Sequence, residues 1–326
     1  MRKVIVSAIA ALAAFALVGC SNSTGGNTAA GQTYHIGIAQ LVSHPSLDAT
    51  VTGFKAALKD AGINADFDEQ NAQNDQGTAN SIAAKFATQN LDLVLAVATP
   101  MAQAAAQNIT DTPVLFTAVT DPVKAQLVKT AQAPGSNVTG TTDMNPVADQ
   151  IDLIKKVAPD AKKVGVIYAS GEVNSEVQVK LAQKEAEKQG LELVKKTITN
   201  SSEVVQAAQT LGDVDAIYVP TDNTVVSALD SVLQVAEPKG ILVVVAEADS
   251  VENGGALTLG LDYEKLGYQT GQMAVKILKG EAKPATMPVE SQKNPQLIVN
   301  PKAAKRMGFE IPKDLQSKAA KVINVD

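Results

Sequence analysis

The sequence predicts an α/β protein built from two parallel-sheet domains in tandem. Three observations carry this. From residue 34 onward, short β-rich runs alternate with helical patterns, and strands separated by helices of about 10–15 residues indicate βαβ units. The alternation restarts near residue 146, giving two similar units. Beyond the N-terminal region about 290 residues remain, more than one hydrophobic core usually holds.

In the first unit, "YHIGIAQ" (34–40) reads as a strand and "SLDATVTGFKAALKDAG" (46–62) as a helix stopped at Gly62. "INADFDEQ" (63–70) is a strand, and "QGTANSIAAKFATQN" (76–90) has apolar residues three and four apart, the helical period. The strand "LDLVLAVA" (91–98), a helix from Pro100, the strand "PVLFTAV" (113–119), a short helix and "NVTGTTD" (137–143) follow. In the second unit a helix covers 146–157, then come the strand 162–169, the helix 174–190 and the strands 191–198, 215–220, 241–247 and 256–263.

Ligands of open α/β sheets bind beyond the carboxyl ends of the strands. "QLVSHPSLD" follows the first strand and offers Gln40, Ser43, His44 and Leu47; "ATPMAQ" offers Thr99 and Met101; "TAVTDPVKA" offers Thr120 and Asp121. The second unit offers Tyr168, Ser170, Glu172, Asn174 and Ser175 in "YASGEVNSE", then Thr221, Asp222 and Asn223 in "VPTDNT", and Glu247 in "AEADS". Helix starts carry free N–H groups that await acceptors. The same residue types are preferred N-caps, and capping alone explains any single loop. Six such loops at ligand-facing edges point to a site shared between two domains.

The N-terminus is a separate matter. "MRKVIVSAIAALAAFALVGC" has Arg2 and Lys3 before an apolar run, the layout of a secretory signal rather than a membrane span. Leu17-Val18-Gly19-Cys20 resembles the bacterial lipobox, which implies cleavage after residue 19 and lipid on Cys20. Residues 20–33 read as a flexible tether. Losing 1–19 moves the formal charge from −6 to −8, a balance that argues against nucleic acid.

Cys20 is the single cysteine and the histidines are two, His35 and His44. No internal disulfide or catalytic thiolate is available, and no metal site or cofactor is expected. No GxGxxG follows the first strand, and neither a P-loop lysine nor GxSxG occurs, so no enzyme is expected.

Lipobox, tether and tandem α/β units together resemble the substrate-binding lipoproteins of ABC transporters, with the type I periplasmic-binding-protein fold. The segments "HPSLD" (44–48), "ATPMAQ" (98–103), "FTAVTDPVKAQLV" (116–128), "GSNVTG" (135–140), "GEVNS" (171–175), "YVPTDNTV" (218–225) and "LDYEKLGYQTGQMAVKILKG" (261–280) are similar to the subfamily that includes tryptophan- and tyrosine-binding lipoproteins. The resemblance implies two Rossmann-like lobes joined by three crossover segments around a central cleft. One lobe would comprise 34–145 with 250–283, the other 146–249 with 284–326. It further implies a monomer outside the cytoplasm, lipid-anchored to the cell membrane, that closes on a small ligand and serves permease and ATPase subunits.

Apart from Arg2, the chain has one arginine, Arg306, away from the loops, so no guanidinium clamp for a ligand carboxylate is expected. Thr99, Thr120, Asn174 and Ser175 could hold a carboxylate with helix N-termini, while Glu247, Asp222 or Asp121 could pair with an amine. This suits an amino acid, and the resemblance points to an aromatic one: tryptophan, tyrosine or phenylalanine. Leu41, Leu47, Met101 and a ring among Phe116, Tyr168 and Tyr218 could line its pocket. The alternative is a sugar or nucleoside. Sugar sites commonly use aromatic faces, and this chain has no tryptophan and 3% aromatics.

Overall fold

A computed structural model describes residues 32–324; the leader and Cys20 lie outside them. The first half runs β1 (Thr33–Gln40), α1 (Pro45–Asp60), β2 (Asn64–Asn71), α2 (Gln76–Thr88), β3 (Leu93–Val97), α3 (Thr99–Asn108), β4 (Val114–Val119) and β5 (Val138–Thr142). β3 and β4, "LVLAV" and "VLFTAV", are buried throughout. That is the signature of parallel strands covered on both faces. The expected short helix after β4 is a run of turns. Asp121 caps the first of them, and Gln126 takes a positive φ of 61°, which a continuing helix does not allow.

The second half runs α4 (Val147–Val157), β6 (Lys163–Ala169), α5 (Val173–Lys188), β7 (Glu192–Ile198), α6 (Val204–Gln209), β8 (Ala216–Val219), α7 (Asn223–Val226), α8 (Leu229–Lys239), β9 (Leu242–Val245), α9 (Ala248–Glu252) and β10 (Leu257–Gly260). Then come α10 (Tyr263–Leu278), β11 (Glu290–Ser291), β12 (Gln296–Val299), α11 (Pro301–Arg306), α12 (Lys313–Lys318) and β13 (Lys321–Val322).

Two sheets result, ordered β11-β5-β4-β3-β1-β2 and β13-β12-β10-β9-β8-β6-β7. All pairs are parallel except β10 with β12. Each sheet has its own buried apolar cluster.

Sheet membership moves the expected lobe boundaries. β10 pairs with β9 and β12 in the second sheet, although 250–283 was expected to belong wholly to the first lobe. β11 pairs with β5 in the first sheet, although 284–326 was expected in the second. The physical reason is that only α10, within the returning segment, has an apolar face matched to the first core, through Tyr263, Leu266, Met273 and Ala274.

Two glycines seat α10. A Cβ on Gly53 would stand 1.9 Å from the Glu264 carbonyl oxygen, and one on Gly267 would stand 1.9 Å from that of Thr50. Helices α1 and α10 therefore meet backbone to backbone.

The chain passes between the sheets after β5, after β10 and after β11. The three passages are stitched side by side. Asn145 Oδ1 accepts from the Leu261 N–H at 3.3 Å, and Gln292 Oε1 from the Asp262 N–H at 3.3 Å. Tyr263 donates its hydroxyl to Asp143 Oδ2 at 2.9 Å.

Candidate functional site

The loops after β1, β2 and β4 meet the segments after β6, β8 and β9. Direct bonds cross between them: Ser46 Oγ to Glu247 Oε2 at 2.7 Å, Asn74 Nδ2 to Thr224 Oγ1 at 2.8 Å, and Gln178 Nε2 to Thr120 Oγ1 at 3.4 Å. The Thr120 and Thr221 hydroxyls stand 3.5 Å apart.

In the loop after β1, Gln40 donates to Val42 O and Asp48 Oδ1, and the exposed Ser43 donates to Asp48 Oδ2. These residues order the loop around Asp48. Pro45, with its fixed φ, starts α1. His44 stands at the N-cap position, yet its side chain makes no capping bond. The imidazole is buried with both nitrogens unpartnered, and Nδ1 lies 4.0 Å from Glu247 Oε2. Burial lowers its pKa to about 4, against the opposing pull of Asn223 and Asp48. His44 is therefore neutral at physiological pH, with one ring nitrogen able to donate and one to accept.

α3 begins at Thr99, whose Oγ1 is buried and lacks a partner. No acidic residue occupies its first turn and no side chain caps it. The preceding Ala98 adopts φ 80°, and Ala118 at the end of β4 adopts φ 54°. Backbone strain in non-glycine residues concentrates at functional sites. Leu47 and Met101 are buried in the first core just behind these loops.

Across the interface, Glu172 accepts from Asn174 Nδ2, both nitrogens of Asn223, and the Thr224 N–H and hydroxyl. Asp222 accepts from the Ala169 N–H, Ser175 Oγ and the Val225 N–H at 2.6, 2.6 and 2.8 Å. Burial and the Glu172 charge push its pKa upward against these donors. Both carboxylates thus bind their own loops together. Thr221 is held by Gln178, whose Oε1 accepts its N–H and whose Nε2 reaches its hydroxyl.

Glu247 differs. It is buried, and Ser46 Oγ is its single hydrogen-bond donor among the described residues. Burial raises its pKa to about 8, reinforced by the charges of Asp143, Asp249 and Glu172. Asp143 is buried and accepts from Thr120 Oγ1 and Tyr263; burial raises its pKa to about 6. This corner combines desolvated carboxylates with spare acceptor capacity, an environment that favours a cation.

Three expected residues stand apart from this group. Asp121 is half-buried and caps its own turn, accepting from the Val123 and Lys124 N–H groups. Tyr168 packs on the second core beside Glu176, Lys180, Gln183 and Lys195 along the flank of α5. Ser170 is exposed.

Sequence reasoning missed Ser46, Asp143 and Gln178. Asp143 directly follows β5, the position that marks the other loops, but the sequence pattern runs its strand through 143. Ser46 lies in the loop after β1 and carries the same signal as Ser43 and His44, whereas Gln178, inside α5, carries none. Among the described residues no cluster of three or more His, Cys, Asp or Glu could hold a metal, and no helix is long and apolar enough to cross a membrane.

Comparison with known proteins gives this geometry its context. The family model of the ABC transporter substrate-binding protein matches residues 35–323. A tyrosine-binding protein of Clostridioides difficile (strain R20291) is 43% identical over 306 residues, spanning 90% of this chain and 88% of that protein. A Streptococcus pneumonia ABC domain solved in complex with L-Trp is 36% identical, covering 90% of this chain and 100% of that one, with a TM-score of 0.86. A ligand-free, open substrate-binding protein with adhesive properties from Clostridium difficile covers the same shares at 47% identity, but its TM-score is 0.67. The overall arrangement is nearer to the L-Trp complex than to the open structure, against the order of sequence identity. The chain belongs to the ABC transporter substrate-binding protein family.

Proposed function

We propose that this protein is the solute-capturing subunit of an ABC importer, that its ligand is an aromatic amino acid, and that the lobes close on it before delivery to the permease. On this reading it acts outside the cytoplasm as a binder without catalysis, and Cys20 carries the lipid that anchors it.

One observation supports the ligand class above others: the polar groups left over when the two sets of loops meet. Thr99 Oγ1 has no partner, at a buried helix start free of acidic residues. Such a helix N-terminus favours an anion and would take the ligand carboxylate. Glu247, with one hydroxyl donor and acidic neighbours, would take the ammonium, with neutral His44 beside it. A buried charge is tolerable when paired, and a zwitterion supplies both missing charges. A neutral sugar supplies neither.

The similarity to a protein named for tyrosine and to an L-Trp complex supports an aromatic side chain. A thermal-shift screen of the purified protein against amino acids, sugars and nucleosides tests the reading. Aromatic amino acids at 100 times their dissociation constant should stabilise it by about 2.7 kcal/mol. Stabilisation by a sugar or nucleoside alone would replace this reading with the alternative.

A further inference from the structure

We infer that Asn174 reads the ring of the ligand: its Oδ1 accepts a hydrogen bond from a donor on the side chain, so phenol- and indole-bearing amino acids are taken and phenylalanine is discriminated against. The inference rests on the aromatic amino-acid reading above.

The amide of Asn174 has only one workable orientation. Nδ2 lies 2.9 Å from Glu172 Oε2 and 2.8 Å from the Thr221 carbonyl oxygen, with Ser175 Oγ at 3.3 Å. A carboxylate and a carbonyl can only accept, so the nitrogen must face them. Oδ1 is then fixed on the other side. It is buried in a residue 3% exposed, and it has no partner. An amide oxygen cannot donate, so whatever satisfies it must carry N–H or O–H.

The ligand's ammonium is a poor match for that role. Its seat, Glu247, follows β9, whereas Asn174 follows β6, and β8 lies between them in the sheet. Two interstrand spacings put those strand ends about 10 Å apart. The side chain of tyrosine or tryptophan is long enough to span that separation from an ammonium held at Glu247. The phenol O–H of tyrosine and the indole N–H of tryptophan are donors; the phenyl ring has none. A site built to bond such a donor rejects the analogue lacking it, because its own buried group is left unpaired.

The test is calorimetry on the full-length protein with L-tyrosine, L-tryptophan, L-phenylalanine and O-methyl-L-tyrosine, repeated with Asn174→Leu. The wild type should bind phenylalanine and O-methyltyrosine about 5- to 150-fold more weakly than tyrosine. Asn174→Leu should bring tyrosine and phenylalanine within about 2-fold of each other. Should that variant not fold, a crystal structure of the wild type with L-tyrosine decides, and the phenol oxygen should lie within hydrogen-bond distance of Asn174 Oδ1. Equal wild-type affinity for tyrosine and phenylalanine, a preference that survives Asn174→Leu, or an Oδ1 that meets the ammonium would each overturn the inference while leaving the aromatic reading intact. Absence of binding by any of these amino acids would overturn both.

Discussion

Ser46 Oγ donates a 2.7 Å hydrogen bond to the Glu247 carboxylate across 201 positions of sequence. It joins the first turn of α1, over the first sheet, to the loop following β9 of the second. Both residues are buried. Glu247→Gln should cost about 2–5 kcal/mol of amino-acid affinity, the usual loss when one partner of a buried charge pair is neutralised. Ser46→Ala should cost less, about 1–3 kcal/mol. Calorimetry on both variants checks the order; equal affinity of wild type and Glu247→Gln would remove Glu247 from the site.

The same carboxyl sets a pH dependence. A carboxyl raised to about 8 in the closed arrangement keeps a proton that an exposed one, near 4.5, gives up. Its contribution to ligand-free closure is fully present below about pH 4.5 and lost as pH rises through about 8. Asp143 acts in the same sense up to about pH 6, while His44, lowered to about 4, acts oppositely between 4 and 6.5. Asp222, raised to about 7 by burial and the Glu172 charge, acts in the same sense as Glu247, so the window from 6.5 to 8 belongs to the two together, at about 1.4 kcal/mol per pH unit for each proton. Small-angle scattering of the ligand-free protein should show a larger radius of gyration at pH 8 than at pH 6.5, and saturating L-tyrosine should give the small value at both. A ligand-free radius independent of pH would contradict this.

Packing of α10 on α1 is a separate stability claim. Gly267→Ala would place a Cβ 1.9 Å from the Thr50 carbonyl oxygen, and backbone cannot yield as a flexible side chain can. Overpacking of this kind typically costs about 1–3 kcal/mol. A urea midpoint within error of wild type would show that the two helices separate freely.

For the lipid anchor, Cys20→Ser should abolish palmitate incorporation and leave the leader uncleaved by the lipoprotein route. More than one acyl chain is expected, because one anchors only marginally. Equal labelling of wild type and variant would end the anchor assignment.

Much of this was legible because βαβ units write themselves into sequence as alternating periods. β3 and β4 are continuous apolar runs, and the residues past each strand end are where ligands meet such sheets. His44, Thr99 and Asn174, each chosen from such a loop, carry buried polar atoms without partners. What was not legible depends on rotation and distance. Asp121, Asp222 and Glu247 look alike in sequence, yet the first caps a turn, the second is saturated by its own loops, and the third has one donor. Tyr168 stands at a strand end like the others but turns toward α5. The lobe boundaries differ because the resemblance assigns 250–283 to one lobe as a block, although its strand reads with the second unit and pairs there as β10, and because β11 is a two-residue strand with no period to read.

The central claim is that the cleft holds a zwitterion by its charges. Calorimetry of the wild-type protein with L-tyrosine and N-acetyl-L-tyrosine tests it most directly, because acetylation removes the ammonium and leaves the ring and carboxylate in place. The account predicts tight binding of the free amino acid and hardly any of the acetylated one, a loss of about 2–5 kcal/mol or more. Comparable affinity for the two would contradict it, since no carboxylate could then be gripping an amine.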